Sequence, residues 1–150
     1  MNWTNINSIN DVDSLMKTVG HFHDWYLAGF TFDPLARAED DDLNLARFVI
    51  DIDSLIVTLR YDSKDKMGRW PELEMKFDGI YVFRFFDANC CDPYYECNLV
   101  ESDKGWVFCN DETLTQNELA DPANIKARIL VVSDAISWRP NRSLLEKMKD

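Results

Sequence analysis

Near the start of the chain, His21, His23 and Asp24 are residue types that could do chemistry together. They include the only two histidines, set two apart. In an extended segment alternate side chains share a face, so His-x-His can close on one metal ion. Asp24 would then be a third ligand, or would orient a ligating imidazole from outside. A catalytic zinc needs three protein ligands and an open position, and no further histidine is available. The set therefore requires another acid, Asp51 or Asp53, folded close by. Acid–base work by His23 and Asp24 meets a geometric objection, because neighbours in a strand point to opposite faces. The structural alternative is that the pair holds a helix-to-strand junction by hydrogen bonds, as Asp does in turns.

The remaining constellations favour structure over chemistry. Cys90, Cys91, Cys97 and Cys109 lack the paired C-x-x-C knuckles of a zinc site, and Cys97 and Cys109 read as small buried residues of strands. Asp51-x-Asp53 has the form of a metal-holding acidic pair but reads as two solvated carboxylates. The run Glu39-Asp40-Asp41-Asp42 lacks the alternating acids and central glycine of a calcium loop. There is no phosphate-cradling glycine loop and no nucleophile elbow. The expectation is a protein without cofactor and without catalytic residues.

Charge points to partners. The formal net charge is -11, which repels phosphate backbones and anionic membranes. No nucleic-acid or membrane partner is expected. Residues 33–53 hold seven acids against Arg37 and Arg47, and residues 92–122 hold eight against Lys104. Glu39, Asp40, Asp41 and Asp42 from the first segment, with Asp92, Glu96, Glu101, Asp103, Asp111 and Glu112 from the second, form a candidate acidic face for a basic protein. From residue 126 onward the balance turns basic. No export signal precedes the first helix and no run is long enough to span a bilayer, so a cytoplasmic, thiol-reducing setting is expected.

Stepping along the 150 residues, Val12, Leu15, Met16 and Val19 share one face of a helix over 10–20, with Asn10 as its cap and Gly20 just past its end. From Trp25 the period becomes two, placing Tyr26, Ala28, Phe30 and Phe32 together, and Pro34 ends the strand. Residues 35–45 read as a solvated loop or frayed helix. Phe48–Ile52 and Leu55–Tyr61 are strands, joined either by a turn at 51–54 or by the bend of one long strand. Leu73, Met75 and Phe77 alternate with polar residues, Asp78-Gly79 follows, and Ile80–Phe86 is apolar on both faces. That pattern signals a hairpin with a central second strand. Tyr94–Val100 and Trp106–Cys109 form another hairpin, and 110–122 is loop with room for one helical turn. Ala127–Ser133 and Ala135–Trp138 are strands, and Ser143-Leu-Leu-Glu146 has capping-box spacing for a last helix. The fold expected is α+β. It is one domain over 1–150, with a mainly antiparallel twisted sheet, sandwich or half-barrel of about seven or eight strands between a short N-terminal and a short C-terminal helix.

Phe22-His23-Asp24, followed by a strand and then by Leu73-x-Met-x-Phe-Asp-Gly-Ile-Tyr81, resembles a group of small uncharacterised bacterial proteins that open with Phe-His-Asp. Some of those resemble immunity proteins of polymorphic toxin systems, which bind and neutralise a toxin. The resemblance covers about the first 90 residues. Trp25 stands where a small polar residue often follows the Asp, and 90–125 has no counterpart. It implies no catalytic residues. It implies a non-catalytic, immunity-like protein-binding module. The competing readings are a metal site at His21, His23 and Asp24, and a homo-oligomer formed by pairing of sheet edges.

Overall fold

The computed structural model describes residues 2–40, 46–85, 97–110 and 114–147, with side chains left aside at 33–40 and 46–52. Seven antiparallel strands form one sheet. They are β1 (Thr4–Ile6), β2 (Trp25–Asp40), β3 (Ala46–Tyr61), β4 (Glu72–Phe85), β5 (Asn98–Ser102), β6 (Gly105–Cys109) and β7 (Ile129–Pro140). The spatial order is β2-β3-β4-β7-β6-β5, and β1 also lies on β7. The strand β7 is therefore shared. One side bonds β4 along most of its length. The other bonds β6 through residues 130–133 and β1 through residues 136–138.

The helix α1 (Ile9–Val19) buries Val12, Leu15, Met16 and Val19, the face its spacing predicts. Its cap is Ser8 rather than Asn10. The Ser8 hydroxyl accepts from the Asp11 N–H, while the Asp11 carboxylate accepts from the Ser8 hydroxyl and the Asn7 N–H. Two reciprocal partners outweigh a lone Asn side chain. Gly20 closes the helix in the left-handed conformation, with φ 60. The helix α2 (Gln116–Ala120) is the single turn expected in 110–122, held by a Thr115–Glu118 capping box. The last helix, α3 (Arg142–Lys147), begins at Asn141, not Ser143. The Asn141 side-chain carbonyl accepts from the Leu144 N–H, which frees the Ser143 hydroxyl to donate to Asp65.

Long strands replace several expected short ones. β2 continues past Pro34 to Asp40, so 35–40 is strand and not loop. β2 is an edge strand and its register shifts at Asp33/Pro34, the two settings that tolerate a residue without an N–H. The segment 51–54 is the bend of one strand, β3. Residues 129–140 are likewise one strand. Asp78-Gly79 makes no hairpin. Gly79 lies inside β4 at φ 64, and a register shift between Ile80 and Val82 leaves Tyr81 as the extra residue of a bulge.

A second bulge, between Leu27 and Gly29, corrects the face assignment in β2. Trp25 and Leu27 are buried ahead of it. Beyond it, Phe30 pairs with Val57 and Phe32 with Leu55, so both rings join the same face as Leu27, opposite Leu59. An unbroken period of two had put Leu27 and Phe30 on opposite faces.

The core has two layers. One face of the sheet packs α1, Phe22, Trp25, Leu55, Val57, Leu59, Met75, Phe77, Leu99 and Phe108. On the other face Val107, Cys109, Leu130 and Val132 pack against Ile125 and Ala127. Alternation along β6 and β7 feeds both layers, which is why their sequences read as continuous apolar runs.

Candidate functional site

The His21–Asp24 segment turns between α1 and β2, and it does so in an uncommon way. His21, Phe22 and Asp24 all have positive φ, at 55, 59 and 65. Each such residue costs roughly 1–3 kcal/mol and persists only where its surroundings hold it there. Here they do. Phe22 and Trp25 are buried edge to face with ring centroids 6.0 Å apart, and Phe22 meets Phe108 at 5.9 Å. The Trp25 indole N–H donates to the Val19 carbonyl at 3.0 Å. The Asp62 N–H donates to the Asp24 carbonyl, and the Cys97 N–H to that of His21.

His21 is not extended, so the premise of a shared His-x-His face fails. Among the described residues, no group of three His, Cys, Asp or Glu side chains could hold a metal ion. The left-handed turn at Asp24 lifts the other objection, because it swings the carboxylate back to its neighbour. His23 Nδ1 lies 2.8 Å from Asp24 Oδ2, with the two side chains 61% and 43% exposed. They line a cavity of about 290 Å3 with Tyr61, Lys147 and the last turn of α1. Lys147 Nζ sits 3.0 Å from the Tyr61 ring centroid. Burial pushes the Lys147 ammonium down, opposed by Asp62 and Asp24. Burial also pushes the Tyr61 hydroxyl up, aided by the same two acids. The cavity wall thus carries its own cation, and the Lys147–Tyr61 contact links α3 to β3.

Cys97 and Cys109 are both buried, but only Cys109 is a strand residue, at the end of β6, while Cys97 stands just before β5; they belong to different core layers. Burial, with Cys109 second, pushes the Cys97 thiol well up, which makes it a poor nucleophile and a poor ligand. Cys90 and Cys91 lie outside the described residues.

Of the acidic face, Glu101 and Asp103 are described and exposed at the β5–β6 turn. The backbone of Glu39 and Asp40 ends β2, on the opposite edge of the sheet from β5. Asp41, Asp42, Asp92, Glu96, Asp111 and Glu112 lie outside the described residues.

Exposed aromatic rings form the feature that the sequence reading missed. Trp106 is buried and Trp138 packs against the core, the ordinary place for such rings. Tyr94 and Tyr95 lie outside the described residues. Among the described residues the exposed Phe, Tyr and Trp rings are Phe32, at 44%, and Tyr81, at 61%. Phe32 stacks on Phe30 at 6.2 Å and meets Phe83 edge-on at 5.6 Å, while Phe30 meets Phe85 at 5.2 Å. Four phenylalanines from β2 and β4 thus make one cluster at the end of the sheet away from β1 and α3. The bulge in β2 brought Phe30 and Phe32 to that face, and a bulge leaves no periodic mark in a sequence. Comparisons with protein-family models, curated proteins and solved structures found no match for the chain.

Proposed function

We propose that the protein is a non-catalytic, immunity-like binding module whose acidic surface receives a basic protein partner. The observation that carries this reading is the Phe30–Phe32–Phe83–Phe85 cluster, with the Phe32 ring open to solvent on a strand that runs on to Glu39 and Asp40. Exposed aromatic rings backed by a rigid sheet are the usual anchors of protein interfaces. Negative charge around such an anchor speeds encounter with a cationic surface and makes it salt-sensitive. The net charge of -11 supplies that field.

The test is capture. Immobilised protein, exposed at low salt to a lysate of its own organism, should retain a basic protein near stoichiometry and release it at a salt step. Phe32→Ser should weaken retention by about 2 kcal/mol, the cost of losing an interface anchor. An empty salt eluate, or retention untouched by Phe32→Ser, would count against the reading.

A further inference from the structure

We infer that the cavity beside Tyr81 is a binding site for the guanidinium group of an arginine side chain. It lies on the other side of the bulge in β4 from the phenylalanine cluster. Its volume is about 570 Å3, and Tyr81, Asp103, Lys104, Gly105, Ala123 and Asp134 are among its walls. That lies within the roughly 300–1,000 Å3 range of ligand pockets. As a docking point for a basic partner, the assignment rests on the reading above.

The protein's own arginines show how such a group is held. Arg60 donates to Glu72 at 2.7 Å, and its guanidinium carbon lies 6.0 Å from the Tyr26 ring centroid and 5.7 Å from that of Trp70. Arg139 donates to Glu74 and lies 4.3 Å from the Trp3 ring centroid. In both cases a carboxylate binds the edge of the guanidinium while an aromatic face covers its plane, the arrangement for which arginine is suited. Tyr81 and Asp134 present the same two surfaces, joined by the bond from the Tyr81 hydroxyl to Asp134 Oδ1, with Asp103 exposed on the cavity wall. Among the described residues, no cation of the chain stands over the Tyr81 ring. The cavity's one described cation, Lys104, is paired with Asp121 at 3.1 Å.

Backbone features hold the cavity open. The bulge makes Tyr81 the unpaired residue of β4 and presents its ring at 61% exposure. A Cβ at Gly79 would overlap the Asp134 carboxylate, and one at Gly105 would overlap the Ser133 carbonyl. Both glycines also have positive φ. The close approach of β4 to Asp134, and of the β5–β6 turn bearing Asp103 to β7, therefore depends on two residues without side chains.

The experiment is a ¹H–¹⁵N titration of the full chain with N-acetyl-arginine methylamide, set beside its neutral citrulline counterpart. The expected result is a saturable response near millimolar, confined to residues 81–82, 103–105 and 132–134 and given by the arginine probe alone. Tyr81→Ala and Asp103→Asn should each weaken it about fivefold while leaving the unfolding midpoint in place, since both side chains are exposed. An equal response to citrulline, shifts that map elsewhere, or no saturable response from a folded chain would overturn the assignment. The two readings fail separately. Capture of a basic protein with no arginine response removes only the cavity, and a mapped arginine response with an empty capture column removes only the protein partner.

Discussion

At His21 the backbone stands at φ 55 and ψ 28, a conformation that costs a residue with a Cβ roughly 1–2 kcal/mol. The imidazole is exposed, and among the described residues no hydrogen bond of its side chain offsets the strain. His21→Gly should therefore raise stability by about 1 kcal/mol, after allowance for the greater freedom of glycine in the unfolded chain. A denaturant midpoint that stays put or falls would mean that the imidazole makes a contact of equal worth. The same change at Phe22 would do the reverse, because its ring fills the core between Trp25 and Phe108. The sequence made Phe22-His23-Asp24 visible as a cluster. Its geometry was hidden because alternation arguments assume strand dihedrals, and three positive φ values in four residues belong to no repeating structure.

Between β3 and β4 the chain folds around Asp65. Its carboxylate accepts from the Met67 and Arg69 N–H groups at 2.8 Å each, from the Arg69 guanidinium, and from the Ser143 hydroxyl of α3. Burial pushes the Asp65 carboxyl up, but these donors outweigh it and hold the group at about 2, against an ordinary 3.8. Glu146, also on α3, is held low by its bond to Arg69. A carboxyl whose pKa is depressed by folding stabilises the fold above its unfolded value. That contribution is lost as pH falls through the folded value. The docking of α3 should thus be intact at about pH 6 and weaken as pH falls from about 5 to about 2. Asp65→Asn should loosen the helix at neutral pH and flatten that dependence. Amide exchange at Leu144 and Leu145 reads both, and a helix that protects them equally in the variant would refute the linkage. At this scale the sequence was legible where side chains repeat. The buried face of α1 and the alternation in β4 both stood in the pattern. Asp78-Gly79 misled because a glycine with positive φ serves a hairpin and a bulge alike. Only the partner strand β7 decides between them, and its register is a tertiary fact.

The edges of the sheet bear on how copies of the molecule meet. Edge pairing needs a straight row of open N–H and C=O groups. β2 is interrupted by bulges after Leu27 and at Asp33/Pro34 and carries Pro34 itself, while β5 on the other edge has only five residues. The protein should give a single-chain mass by light scattering at micromolar concentration. A stable dimer that survives Phe32→Ser would restore the edge-pairing reading. The α+β class, the antiparallel sheet and the flanking helices followed from the run of strand and helix patterns. The strand order did not, because β4 meets β7 across more than forty intervening residues. That shared strand also sets a timetable. As the chain leaves the ribosome, β2, β3 and β4 can zip together early, and β5 with β6 soon after, yet no hydrogen-bonded ladder joins the two groups until residues 129–140 emerge. Until that strand arrives the two groups are unfinished sheets, and joining them costs the entropy of closing the long loop between β4 and β7.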